Sequence, residues 1–372
     1  MKSNLLEKID KVILNKLKDS KVTNDSLYNG RLGMIMYLAT RFSSLNNKDE
    51  VSWIIEVEFG NILNGDDHIK HKSSLMYGTS GLLYLYNYLV KLNIVAKNTN
   101  LEKNLSYFIK SNINLREIDL FNGFTGSLIT IIGNQKLNHQ SYLLGDKILD
   151  HIDYNLIVEN DICIWVNREV KQNIGVAHGL PNLMYLMVHL HKHTKNERCL
   201  IIYQTIKKTF LKIATNTSNS KFTYNYYCAI EEHDKVDFKH RLSWCYCDLG
   251  IGLVLYKVAE YFADKDFMDF CSKLLVKTTS IQDQTDSGVS GLGICHGLFG
   301  ISYLYSKAFC YTGDIRLFEA QQYWKSKGLT EFKLNEIDDY GFLNGLSGIG
   351  LVLHSMENKD KANSWDQCLL LS

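Results

Sequence analysis

Apolar residues along the chain fall into a repeating pattern punctuated by glycine. The first segment, MKSNLLEKIDKVILNKLKD, carries Leu6, Ile9, Ile13 and Leu17 at helical spacing with charges between them, which predicts an amphipathic helix. Blocks of apolar residues follow, most of them opening on two glycines three apart: NGRLGMIMYLA from Asn29, YGTSGLLYLYNYL from Tyr77 and NGFTGSLITII from Asn122. The pattern returns as HGLPNLMYLMVHL from His178, YCDLGIGLVLYKVA from Tyr246, HGLFGISYLYSKAF from His296 and NGLSGIGLVLHSM from Asn344, seven copies in all. Their origins, Gly30, Gly78, Gly123, Gly179, Cys247, Gly297 and Gly345, recur at about fifty residues with one longer gap, the mark of a repeat architecture.

A period of about fifty residues holds two helices and their connections. One proline in 372 residues, against a usual share of about 5%, removes the commonest helix breaker. Each origin predicts a turn into a helix, where glycine lets backbones approach closely and tolerates special dihedrals. An open solenoid needs polar caps, but the first and last copies are as apolar and glycine-marked as the middle ones. The pattern therefore predicts an all-α fold, an α/α toroid closed from seven helix-hairpin repeats, with residues 1–372 forming a single domain and short strands confined to insertions. The longest gap contains TNTSNSKFTYNYYCAIEEHDKVDFKHR, residues 215–241, which reads as a polar, tyrosine-rich insertion over one rim, either facing substrate or serving as a solvated connection.

Composition narrows the function. Forty-one basic against forty acidic residues leave a net charge of +1, which argues against a mainly electrostatic partner such as nucleic acid or an acidic membrane. No apolar run is long enough to enter and cross a bilayer, and the opening segment does not read as a signal peptide. Nine cysteines, scattered from Cys163 to Cys368, suit a reducing compartment better than a disulfide scaffold. The expectation is a cytoplasmic protein.

In a ring of repeats, the residues just before each origin share one rim. One position before stand Asn29, Tyr77, Asn122, His178, Tyr246, His296 and Asn344; two before stand Tyr28, Met76, Phe121, Ala177, Cys245, Cys295 and Leu343. Cysteine takes the second place only in the neighbouring fifth and sixth copies. Cys245, Cys295 and His296 are thus placed to converge, and two thiolates with an imidazole suit Zn2+ with one position open for chemistry. Any one of them alone would read as a small buried filler or a helix-start residue; the shared register favours the metal. His178 holds the slot of His296 two copies earlier, Asp119 lies four residues before the third origin, and Arg241 precedes Cys245 by four. Cys247 sits on an origin, so it is expected to be a local substitution rather than a ligand. HLHKHTK at 189–195 places His189 and His193 on one helix face and is expected to be a solvated helix end. Cys163, Cys199, Cys228, Cys271, Cys310 and Cys368 share no register and are taken as structural.

WCY at Trp244–Tyr246, CHG at Cys295–Gly297, AHG at Ala177–Gly179 and the Asp119–Gly123 segment together resemble the lanthionine synthetase C (LanC)-like cyclases, from about Tyr28 to His354. The resemblance implies a double ring of helices around zinc, with Cys245, Cys295 and His296 as ligands and His178, Asp119, Arg241 and Tyr246 lining the site. It implies a lanthionine synthetase: addition of peptide cysteine thiols to dehydroalanine or dehydrobutyrine, closing thioether rings in a precursor peptide that carries a leader. A lanthipeptide dehydratase and an ABC transporter are the further candidate partners, in a complex peripheral to the membrane. Two departures stand out: Cys247 replaces the glycine usual after WCY, and Asn182 replaces the second glycine of the AHG copy. The rival readings are a noncatalytic cyclase-like scaffold binding peptide or glutathione, and another zinc α/α toroid such as a prenyltransferase subunit.

Overall fold

A computed structural model of the chain describes residues 2–43, 48–65, 71–133, 139–166, 171–216, 222–224, 227–229, 241–358 and 364–372. It opens with α1 (Lys2–Leu17), whose Leu6, Ile9, Ile13 and Leu17 are buried as their spacing predicts. Helix pairs follow: α2 (Arg31–Phe42) and α3 (Lys48–Asn64), α4 (Thr79–Lys91) and α5 (Thr99–Asn112), α6 (Phe124–Gly133) and α7 (His139–Asn155). Next come α8 (Leu180–Thr194) and α9 (Arg198–Asn216), then α10 (Cys247–Tyr261) and α11 (Lys265–Lys277). After the single turn α12 (Gln284–Ser287) stand α13 (Leu298–Thr312), α14 (Ile315–Glu331) and α15 (Leu346–Glu357). The strands among the described residues form two small antiparallel pairs, β1 (Leu156–Glu159) with β2 (Ile162–Trp165) and β3 (Lys171–Asn173) with β4 (Tyr227–Ala229).

Helices α2, α4, α6, α8, α10, α13 and α15 each pack on the next, and α15 packs on α2, so the inner ring closes. The inner helices are apolar almost all round: α10 buries every residue from Cys247 to Tyr256. Outer helices are amphipathic, as for α11, which buries Phe267, Cys271, Leu274 and Leu275 on one stripe. Their starts carry side-chain caps from Asn98, Asp264 and Asp314. The predicted seventh hairpin is assembled differently: α1, from the other end of the described chain, packs on both α15 and α2 and serves as the outer helix there.

Inner helices are capped by backbone instead. The N–H groups of Arg31, Thr79, Phe124, Leu298 and Leu346 donate to carbonyls of Asn24, Lys72, Glu117, Gly291 and Asp339, because each preceding loop curls back over the helix start. That fold-back explains the glycine pairs. A Cβ at Gly300 or Gly348 would run into the carbonyl of Ile294 or Phe342. Close approach is therefore the reason for glycine, and the expected special dihedrals are not: Gly30 and Gly78 are extended, with φ −118° and −145°. Asn182 meets the same requirement by another route, donating its side-chain amide to the Val176 carbonyl at 3.0 Å.

The loops also bond to one another around the rim. The N–H of Tyr28 donates to Met76, Met76 to Phe121, Leu120 to Ala177, Val176 to Cys245, Trp244 to Cys295, Ile294 to Leu343, and Phe342 back to Tyr28. In all seven junctions the accepting carbonyl belongs to the residue two before an origin. The ring axis is filled by residues 364–372: Trp365 and Leu369 to Leu371 are fully buried, Tyr185 donates to the Ser372 carbonyl, and Lys307 pairs with the buried Asp366 at 2.8 Å.

The glycine argument predicts a contrast measurable by urea denaturation. Gly300→Ala forces backbone to move and should cost about 2 kcal/mol or more. Gly60→Ala, in α3 with open space around the new methyl, should raise stability by roughly 0.5–1 kcal/mol.

Candidate metal and catalytic site

The rim belt brings the sixth copy against the fifth. Because the Trp244 N–H holds the Cys295 carbonyl at 2.7 Å, the side chains of Cys245 and Cys295 meet, with Sγ atoms 3.2 Å apart and both residues buried. Trp244 is itself fixed on three sides: its backbone in the belt, its indole N–H on the Leu369 carbonyl at 2.8 Å, and its ring stacked on Phe121.

The two thiols titrate as one unit. Cys295 donates to Cys245, which lowers the pKa of Cys245; burial opposes this, and the charge of Arg241 assists it. Cys295 is held protonated by the same bond and by burial. Arg241 Nη2 lies 3.9 Å from Cys245 Sγ, and its charge also acts on His296. Burial first, and then Arg241, keeps the His296 imidazole neutral, the state a metal ligand needs. Its Nδ1 is buried with no hydrogen-bond partner among the described residues.

His178 faces the pair from the loop that leads into α8. Its Nδ1 lies 2.5 Å from Asp119 Oδ2, while Asp119 Oδ1 accepts the N–H groups of Phe121 and Asn122 at 2.7 Å each, so the carboxylate is fixed at both oxygens. Burial disfavours the imidazolium, but the hydrogen bond and charge of Asp119, with Cys245, outweigh it and raise the pKa of His178. Tyr246 packs its ring 5.9 Å from that of His178. Gly175 backs it so closely that a Cβ there would strike the Tyr246 ring.

The structure therefore gathers Cys245, Cys295, Arg241, His178, Asp119 and Tyr246, with His296 adjoining through Arg241. Among the described residues no three His, Cys, Asp or Glu side chains already surround a common point as a finished metal cage. The donor chemistry nevertheless suits zinc: two thiols in contact, one ionising readily, and a neutral imidazole nitrogen without a partner. Cys247 lies apart in role. Its thiol is fully buried and pushed up to about 12 by burial, and its backbone sits at φ 63°, the left-handed region that favours the glycine it replaces.

Two wall residues appear in the register but were not singled out by it. Tyr28 accepts a hydrogen bond from Asn344 Nδ2 at 2.9 Å and packs on Tyr77, with ring centroids 5.4 Å apart. Burial, Tyr77 and Cys295 push its pKa up to about 12, so it stays a neutral hydroxyl beside the thiol pair. Aromatic residues at successive rim positions were the available signal.

Much of the predicted insertion, at 217–221, 225–226 and 230–240, lies outside the described residues. Within it, Phe222 to Tyr224 are buried, and Asp248 accepts the N–H groups of Thr223 and Tyr224, both at 2.8 Å in the shorter contact. The solvated reading of 189–195 does not hold for its first turn: burial pushes the His189 pKa down to about 4, and His191 Nδ1 lies 3.0 Å from the Tyr261 hydroxyl. Of the remaining cysteines, Cys163, Cys199, Cys271 and Cys368 are buried and Cys310 is exposed; the Cys228 side chain lies outside the described ones.

The Asp119–His178 pair makes a pH prediction. Since the folded pKa of His178 is raised, the pair stabilises the fold fully below the ordinary value near 6.5 and loses that contribution as pH rises through the folded value. Asp119→Asn leaves burial in control, so NMR titration of the His178 ring should show its pKa falling below wild type, with stability near pH 6 reduced.

Comparison with known proteins follows the same lines. Nisin biosynthesis protein NisC of Lactococcus lactis subsp. lactis is 26% identical over an alignment 426 positions long, covering 100% of this chain and 96% of that protein. A solved structure of a nisin cyclase superposes with a TM-score of 0.80 at 22% identity, covering 99% of this chain and 98% of the other, which establishes the shared α/α toroid. The family model described as lanthionine synthetase C-like protein matches residues 21–370, and the chain belongs to that family.

Proposed function

We propose that the protein is a zinc-dependent peptide cyclase that adds cysteine thiols of a dehydrated precursor peptide to dehydroalanine or dehydrobutyrine, forming lanthionine or methyllanthionine rings. The observation that carries the reading is the buried Cys245–Cys295 pair meeting Arg241 and the Asp119–His178 couple at one mouth of the ring. Family membership and the similarity to nisin biosynthesis protein NisC support the same chemistry.

Cys245, Cys295 and His296 would hold the metal. When bound, its contribution is to make the substrate thiol a thiolate at neutral pH, where a free thiol of pKa near 8.5 is mostly protonated. The side chains of the chain perform the rest. Addition forms a bond between sulfur and the β-carbon and moves the electron pair of the alkene onto the substrate carbonyl as an enolate. Arg241 supplies positive charge for that enolate from a partly buried position, where it is worth more than in water. His178, with its raised pKa, delivers a proton to the α-carbon as general acid. Asp119 orients that imidazolium and is the acceptor for the proton released by the thiol. Tyr246 packs against the His178 ring and limits its rotation.

In this reading the partners are a leader-bearing dehydrated peptide, the dehydratase that prepares it and the ABC transporter that removes it, at the cytoplasmic side of a membrane-associated complex. No helix among the described residues is long and apolar enough to cross a membrane.

The test incubates metal-loaded protein with dehydrated candidate peptides and counts free thiols by alkylation and mass spectrometry. Thiol loss above the uncatalysed control is expected; none across several peptides would refute the cyclase reading. His178→Ala should slow ring closure by about 10²-fold or more while elemental analysis still finds zinc. Cys245→Ala should lose the zinc itself, and full zinc occupancy in that variant would remove Cys245 from the ligand set.

A further inference from the structure

The mouth of the ring opposite the cysteines holds a cavity of about 370 Å³. It opens between the C-terminal halves of α4, α6 and α8 and is closed on the axis by residues 364–372. Its walls are aromatic and aliphatic, with Tyr84, Tyr88, Tyr185 and Tyr261 the largest side chains. Its polar lining mixes hydroxyls, amides and an imidazole with two lysines, and the Ser372 backbone oxygen in it is already taken by the Tyr185 hydroxyl at 2.7 Å. Lys91 and Lys192 stand at its edge, and neither has a carboxylate partner among the described residues; Lys91 Nζ bonds only the Ser364 hydroxyl, at 2.9 Å. Asn87 Nδ2 in the wall is buried with no hydrogen-bond partner among the described residues, an arrangement that costs free energy unless something accepts its protons. His189, the residue that the sequence pattern assigned to solvent, lies in the same wall.

No aspartate or glutamate lines the cavity among the described residues. The buried Asp366 behind the wall is already matched by Lys307 at 2.8 Å and by the Tyr303 hydroxyl at 2.8 Å. A volume of this size, apolar walls and a few polar donors in the lining are the attributes of a small-molecule site. We propose that this cavity binds a small organic carboxylate with an apolar body, which lies against the tyrosines while its anionic head meets Lys91, Lys192 and the Asn87 amide. The site is separate from the ring-closing chemistry and does not depend on it.

The probe is 4-phenylbutyrate, followed by calorimetry and saturation-transfer NMR on the full chain. Its amine counterpart, 4-phenylbutylamine, and inorganic phosphate are the controls for charge and for the apolar body. The carboxylate should bind at least about tenfold more tightly than either control. The Lys91→Gln, Lys192→Gln double variant should weaken it by at least about tenfold; both lysines are exposed, so the core is untouched. Gly133→Leu, which puts a side chain into the cavity with no backbone in its way, should abolish binding while circular dichroism stays that of wild type. Equal binding of the amine or of phosphate, undiminished binding in the lysine variant, or no carboxylate binding at millimolar concentration would overturn the proposal.

Discussion

The closed belt of backbone hydrogen bonds around the rim is the constraint on which the rest depends. Seven loops must pass from outer to inner helices in a crowded, largely buried place, where an unmade amide bond costs about 1–3 kcal/mol. Every loop donates to the carbonyl two before the next origin, and five of the seven also cap their own helix with a carbonyl seven residues upstream. Both demands bring backbone against backbone, so side chains are excluded at the glycine positions. The apolar inner helices hold the ring together, but the belt sets the angular order and height of the rim residues.

Chemistry follows from that order. Side chains two before neighbouring origins are held against one another, and only between the fifth and sixth copies are both cysteine. The pair is buried, so its charge state responds strongly to neighbours: one thiol donates to the other, and Arg241 adds positive charge from the adjoining loop. On the other side, a carboxylate fixed by two backbone N–H groups raises the pKa of a histidine and so favours its protonated form. Opposite charge states are thus favoured within one site, on residues far apart in sequence, without a large net charge on the protein as a whole.

The two mouths of the ring are linked by Trp244. Its backbone belongs to the belt beside Cys245, and its indole rests on residues 364–372, which fill the axis and form one wall of the far cavity. Near the origin of α10, Cys247 holds a left-handed backbone where the other copies have extended glycine.

The repeat, its register and the rim that carries the cysteines were legible in the sequence, because glycine pairs and apolar runs report a backbone crowding that recurs in every copy. Cys245 was distinguished from Cys247 for the same reason, as was the pairing of the fifth copy with the sixth. What the register could not reach was what has no period. That α1 completes the seventh pair, that residues 364–372 fill the axis, and that Asp119 grips His178 with one oxygen while its own loop holds the other all depend on contacts between distant segments. His189 shows the limit most plainly. Helical spacing placed it on a face with His193, but whether that face meets water or a cavity depends on which helices stand opposite, and only the closed ring decides that.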